Sequence, residues 1–236
     1  MTTYIRIFFI VLFTIICSVF AIIFALADKS YRSYFWLSKI FSGGVLWISG
    51  IKLNVTGIEN FQPEGTYILV SNHSSQFDIP AMQYAIPVRM SIVFKQELVK
   101  IPLFGWQLYL GPYVMINRKK ADEAVKSIER AKFLMKEKKV SILLFAEGTR
   151  SRDGEIQPFK RGAFYLASRV GQPIIPVTIS GAQKILPKGS LRINPGTLSI
   201  HFDKPIYTTG KESRQEELNL MQQVREVVLK NYQSVV

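Results

Sequence analysis

Tyr67-Ile68-Leu69-Val70-Ser71-Asn72-His73-Ser74-Ser75-Gln76-Phe77-Asp78-Ile79-Pro80 is the segment around which the other elements of the chain arrange themselves. Tyr67 to Val70 form an apolar run that reads as a buried strand, and the run leads directly into a polar turn. Ser74 or Ser75 is a natural N-cap, so a helix is expected to begin just after His73, with Asp78 on its first turn. The chain has only two histidines, and this one lies five positions before an aspartate. A carboxylate one turn on can fold back onto an imidazole. With Asp78 accepting the Nδ1 proton, Nε2 is left as a free acceptor able to take a proton from a substrate hydroxyl. The plainer reading is that His73 fills a polar turn and Asp78 faces solvent, because a His with an Asp five residues later is common by chance.

On either side of this segment, short β-rich runs alternate with helical ones. Strands are expected at Lys52–Thr56, Thr66–Val70, Met90–Phe94, Tyr113–Ile116, Val140–Phe145, Ile174–Ile179 and Leu198–Phe202, with helices at about 75–86, 120–138 and 161–170. A last helix opens with Ser213 and Glu216 as a capping box ahead of Leu218, Leu220, Met221, Val224, Val227 and Val228. This alternation predicts an α/β fold, a mostly parallel or mixed sheet flanked by helices. The chain's 236 residues suit one such domain plus a small appendage.

The appendage is N-terminal. Ile7 to Ala27 carries no charge and is long enough to cross the hydrocarbon core of a bilayer. Ala25-Leu26-Ala27 resembles a signal-peptidase site, but the apolar run exceeds the roughly 7–15 residues of a signal h-region, which favours a retained helix. Tyr31 to Ile51 is aromatic and amphipathic, suited to the head-group region or to packing on the main domain. Residues 1–50 are therefore expected to form a two-helix membrane anchor and residues 51–236 the α/β domain. Lys29, Arg32 and Lys39 outnumber Arg6, which places that domain on the cytoplasmic face of the membrane.

Thirty Lys and Arg against seventeen Asp and Glu give a net charge of +13, which favours anionic partners: phospholipid head groups, phosphorylated substrates, an acidic carrier protein or nucleic acid. Cys17, the single cysteine, sits in the most apolar segment, so neither a disulfide framework, a cysteine metal cluster nor a Cys-His nucleophile is expected.

Three more blocks carry chemistry. In Gly111-Pro112-Tyr113-Val114-Met115-Ile116-Asn117-Arg118 an arginine ends a short strand, where it either points into the crevice that binds ligands in α/β sheets or begins the solvated run Arg118-Lys119-Lys120. In Phe145-Ala146-Glu147-Gly148-Thr149-Arg150-Ser151 a buried strand runs into a glycine that permits a tight turn, a hydroxyl, and an arginine able to clamp an anion. Lys160 and Arg161 follow at the expected start of the next helix, where anions are favoured. Glu147 is either an ordinary ion-pair partner or a group that orients Arg150 or a glycerol hydroxyl. Pro173-Ile174-Ile175-Pro176-Val177 is an apolar strand broken by prolines, hence an edge strand or one pinned at a site wall.

Taken in order, these blocks resemble the glycerophosphate and lysophosphatidate acyltransferase family over roughly residues 65–180. Its signatures are an N-H-x4-D block, a G-x-aromatic-x-x-x-R-like block, an F-P-E-G-T-R-S block and a late proline-punctuated block. They stand here as Asn72-His73 to Asp78, Gly111 to Arg118, Phe145 to Ser151, and Pro173 to Val177; Lys95 to Leu98 with Ile101 to Gly105 resembles a further family segment. Ala146 replaces the usual proline, and Asn117 stands where an acidic residue often precedes the arginine. The two-helix, aromatic-rich N-terminus is similar to that of short bacterial members acting on 1-acylglycerol 3-phosphate.

The resemblance implies acyl transfer from a thioester, acyl carrier protein or coenzyme A, to the 2-hydroxyl of lysophosphatidate. His73 would act as general base with Asp78 holding its tautomer, and Glu147 would help to place the glycerol. Arg118, Arg150 and Lys160 would bind the phosphate, with Gly148 and Thr149 in the same loop. No cofactor and no metal are implied. A thioester is activated enough to need no acyl-enzyme. Ser74 next to His73 makes an unattractive nucleophile, and His201, in an alternating strand, reads as structural. The competing readings are a sister acyltransferase for glycerol 3-phosphate or another lysophospholipid, a lipid-binding protein with a dead site, and a nucleic-acid binder. The last is disfavoured by the anchor and by the want of a basic recognition helix.

Overall fold

The computed structural model describes residues 2–117 and 122–233. All seven expected strands are present: β1 (Ile51–Thr56), β2 (Ile68–Ser71), β3 (Met90–Lys95), β4 (Val114–Ile116), β5 (Ser141–Phe145), β6 (Ile174–Ser180) and β7 (Gly196–Phe202). They form one sheet in the order β1-β7-β6-β2-β5-β3-β4. β6, β2, β5, β3 and β4 run parallel, whereas β7 is antiparallel to β6 and carries β1 parallel to itself, so the sheet is mixed. The helices are α1 (Thr3–Ala27), α2 (Arg32–Ser49), α3 (Asp78–Ala85), α4 (Phe104–Leu110), α5 (Asp122–Lys138), α6 (Arg161–Val170), α7 (Ala182–Ile185) and α8 (Arg214–Gln233).

Strand alternation divides the core into two layers. Leu69 and Leu143 point into a cluster with Val45 and Leu46 of α2 and Ala81 and Met82 of α3. Ile68, Val70, Ile142 and Leu144 point the other way, onto Leu134 of α5, Phe164 of α6 and Val224 of α8. Every residue of β2 is buried, as a strand covered on both faces must be.

Two expectations are corrected. β6 is an interior strand, between β7 and β2, despite its prolines. Ile174 donates its N–H to the Ile206 carbonyl and the Pro176 carbonyl accepts from Asp203, so Pro176 turns its missing N–H toward the segment after Phe202, where β7 has already ended. The absent donor falls where the ladder is interrupted. Nor do Ser74 and Ser75 cap α3. The helix starts at Asp78, Pro80 sits harmlessly in its first turn, and Ile86, held extended before Pro87, ends it.

α1 spans about 37 Å at 1.5 Å per residue. By length and composition it is able to cross a membrane. Phe8, Phe9, Leu12, Ile15, Phe20 and Ile23 are exposed along it, while its small residues Ser18, Ala21 and Ala25 are buried. A Cβ on Gly44 of α2 would run into the Phe13 ring, so this glycine permits the close approach of α2 to α1. At its start α1 is also fastened to the main body, because Arg6 donates to the Ile193 carbonyl at 3.2 Å.

Candidate active site

β2 and β5 are neighbouring parallel strands, and both release their loops at the carboxyl edge of the sheet. The β2 loop carries His73 and leads to α3. Asp78, the first helical residue, reaches back across the turn: its Oδ2 lies 2.7 Å from His73 Nδ1 and accepts the backbone N–H groups of Ser74 at 2.8 Å and Ser75 at 2.9 Å. Asp78 is fully buried, and its Oδ1 is buried with no hydrogen-bond partner among the described residues. An oxygen that already receives two N–H donors is an acceptor for the imidazole as well. The proton therefore resides on Nδ1 and leaves Nε2 as the basic nitrogen. Asn72 braces the turn from behind by exchanging two 2.8 Å hydrogen bonds with the Ile179 backbone.

The β5 loop closes on the first. The register pairs Ser71 with Phe145, which puts the Phe145 ring against the imidazole, 3.9 Å between centroids and 16° from parallel. Glu147 Oε1 accepts the His73 N–H at 2.8 Å, and its Oε2 accepts the Gln157 N–H at 3.2 Å. The Ser151 N–H in turn donates to the His73 carbonyl at 2.8 Å. Glu147 is 2% exposed. Burial pushes its carboxyl up to about 7 against the pull of those two N–H groups, with the charge of Asp78 adding to the rise.

Gly148 adopts φ +71°, and a Cβ there would lie 3.1 Å from Lys160 Cδ and 3.4 Å from its Nζ. The Lys160 ammonium thus lies across the glycine, as close as the missing side chain allows. Lys188 Nζ donates to Thr149 Oγ1 at 3.2 Å and to the Arg150 carbonyl at 2.6 Å.

His73, Asp78 and Glu147 are thus joined by hydrogen bonds, and Gly148 and Lys160 lie against each other in the same loop system. Thr149 and Arg150 are held there by Lys188. Arg118 lies outside the described residues. His201 is on β7, bonded to Thr56 Oγ1 at 2.8 Å. Sequence reading missed Lys188, which stands between Pro187 and Gly189 and matches no motif, and it missed Gln157. Phe145 was visible as part of its block, but its stacking on His73 requires the pairing of β2 with β5. Among the described residues no group of His, Cys, Asp and Glu is arranged to hold a metal ion.

The acyltransferase family model matches residues 52–180. The 1-acyl-sn-glycerol-3-phosphate acyltransferase of Limnanthes douglasii is 34% identical over 169 residues, 72% of this chain and 59% of that protein. The alpha form from Homo sapiens is 31% identical over 166 residues, 70% of this chain and 59% of that one. The chain therefore matches about three-fifths of the length of these relatives. Among solved structures, the 1-acyl-sn-glycerophosphate acyltransferase PlsC of Thermotoga maritima is similar with a TM-score of 0.83 at 26% identity, covering 99% of this chain and 94% of that one.

Proposed function

Because the chain belongs to the acyltransferase family, we propose that it transfers an acyl chain from a thioester to the 2-hydroxyl of 1-acyl-sn-glycerol 3-phosphate, making phosphatidate. The observation that carries this reading is the His73–Asp78 pair set 2.7 Å apart beside the cationic Gly148 loop. His73 Nε2 takes the hydroxyl proton as the oxygen attacks the thioester carbonyl. The tetrahedral intermediate then collapses with cleavage of the C–S bond, and the imidazolium returns its proton to the departing sulfur. Asp78 stabilises the imidazolium and fixes its tautomer.

The oxyanion needs donors. The amides of His73, Ser74, Ser75 and Ser151 are already committed, whereas among the described residues those of Gln76, Thr149 and Arg150 carry no hydrogen bond. We assign the acceptor's phosphate to Arg150, Lys160 and Lys188, with Arg118 as a further ligand. Glu147 engages backbone N–H groups with both oxygens, which supports a positioning role, tying the His73 turn to the β5 loop, over direct contact with glycerol. The donor is acyl carrier protein or acyl coenzyme A, and the net charge of +13 suits either polyanion. Residues 1–50 serve as a membrane anchor that holds the site at the cytoplasmic surface, where acceptor and product both reside.

The test is thiol release from an acyl thioester by the detergent-solubilised protein, with and without 1-acylglycerol 3-phosphate, beside His73→Ala. Acceptor-dependent release with phosphatidate as product, abolished in the variant, is the expected result. Release that ignores the acceptor, or that survives His73→Ala, would overturn the mechanism.

A further inference from the structure

An open cavity of about 230 Å³ lies between α2 and the turn that joins α3 to β3. Arg32 and Lys39 of α2 and Arg89 of the turn line it, together with Phe35, Trp36 and Gln83. Arg89 immediately precedes β3, at the amino edge of the parallel strands, so this cavity and the His73 turn occupy opposite edges of the sheet.

Four features make it a site for an anion. Among the described residues no carboxylate forms an ion pair with Arg32, Lys39 or Arg89. The nearest acid on its own loop, Asp28, is committed to the N–H groups of Ser30 and Ser33 and to the Ser30 hydroxyl. Lys39 and Arg89 each give one hydrogen bond to a backbone carbonyl, of Ile86 at 2.9 Å and of Ser30 at 3.2 Å, which fixes them in place and leaves further N–H groups unused. Partial burial, then the charge of Arg32, holds Arg89 below the usual arginine range, while the charges of Glu64 and Asp28 act the other way. Finally, Gln83 is only 5% exposed and lines the cavity, yet its carboxamide makes no hydrogen bond among the described residues.

The surroundings identify the anion's carrier. Trp36 is 62% exposed and Trp47 82%, on one face of α2 with Ile40 between them, and the exposed ring of Tyr84 lies against that face at Gly43. Exposed aromatics flanking a cationic pocket are the arrangement that suits the head-group layer of a membrane. We propose that this cavity binds the phosphate of an anionic phospholipid head group, at a site separate from the acyl-transfer centre. Arg32, Lys39 and Arg89 neutralise the phosphate and the Gln83 amide donates to one of its oxygens. Trp36 packs along the glycerol backbone. Occupancy seats the outer face of α2 on an anionic leaflet. The proposal shares with the preceding section the membrane placement of α2 but none of its chemistry.

Trp36, Trp47 and Trp106 are the three tryptophans of the chain, so Trp47→Phe/Trp106→Phe leaves Trp36 as sole reporter. The full-length protein carrying these changes, in dodecylmaltoside micelles, is titrated with dihexanoyl phosphatidylglycerol, with dihexanoyl phosphatidylcholine and with inorganic phosphate. The expected result is a saturable change in Trp36 emission with phosphatidylglycerol. Arg32→Gln/Arg89→Gln should weaken it about tenfold, the equivalent of about 1.4 kcal/mol. Lys204→Gln/Lys211→Gln, which removes equal charge from exposed positions elsewhere, should leave it unchanged. The Arg32 side chain makes no hydrogen bond or ion pair among the described residues, so Arg32→Gln alone should fold normally and still weaken binding. An unsaturable response, equal weakening by the control pair, or equal binding of phosphatidylcholine would overturn the proposal. Inorganic phosphate saturating at the same concentration as the lipid would reassign the pocket to free phosphate and overturn the lipid assignment. The assay contains no thioester, so its failure leaves the acyl-transfer reading untouched, and the converse holds.

Discussion

Oδ2 of Asp78 stands 2.7 Å from Nδ1 of His73 while accepting the backbone N–H groups of Ser74 and Ser75. One oxygen therefore sets the ring's tautomer and shapes the turn that presents it. In Asp78→Asn the charge that stabilises the imidazolium is gone and the amide must place an NH2 in a buried site. We expect kcat to fall by about 10²–10⁴-fold with KM changed little. A steady-state comparison at saturating thioester checks this, and unchanged kcat would remove Asp78 from the mechanism.

Glu147 gives a pH dependence of stability. Its carboxyl, ordinarily near 4.5, titrates at about 7 in the folded chain. Because the folded value is the higher one, its stabilising contribution is complete below pH 4.5 and is lost as pH rises through 7, to a total of roughly 3 kcal/mol at most. Glu147→Gln lacks this titration. Its Tm relative to the unsubstituted chain should therefore rise between pH 4.5 and 7 and level off above, as measured by thermal denaturation across that range.

Lys188 holds Thr149 and the Arg150 carbonyl from a loop outside every motif. Lys188→Met keeps the length of the side chain and removes the charge. The expected outcome is a KM for the lysophosphatidate raised about tenfold, as befits one lost charge-assisted contact, with kcat within about threefold. A kcat effect larger than the KM effect would speak for a role in chemistry.

Ser213 and Glu216 form the expected capping box at the start of α8: Ser213 N–H donates to Glu216 Oε2 at 2.7 Å, and Glu216 N–H donates to Ser213 Oγ at 3.3 Å. Ser213→Ala should lower the unfolding free energy by about 1 kcal/mol without touching turnover, since the hydrogen bonds of the box run only between Ser213 and Glu216 and include no residue of the candidate site. Denaturant titration of the two proteins measures it.

Local pattern carried the fold a long way, because each strand announces itself as a short β-branched run between turn residues. It failed where the answer depends on a partner strand. Pro176 reads as a mark of an edge, and only the early end of β7 makes an interior position tolerable. Ser74 reads as a cap, and only the structure shows that its N–H instead donates to Asp78, whose side chain reaches back from the helix across the turn. In the candidate site, His73, Asp78, Glu147 and Arg150 are legible because they lie in short contiguous blocks. Phe145 against His73, Gln157 beneath Glu147 and Lys188 over Thr149 are pairings made by strand register and by loops distant in sequence, which single-chain spacing does not encode.

The hydrogen bond from Arg6 to the Ile193 carbonyl joins the beginning of α1 to the loop before β7, and Gly44 lets α2 lie against α1 along the way. The apolar helix is thus secured both near its beginning and along its flank. On the proposed membrane placement, the tilt of the helix in the lipid dictates the attitude of the catalytic edge. On the proposed reaction, the acceptor lipid would then reach the site by a two-dimensional search within the leaflet, and only the thioester would approach through water.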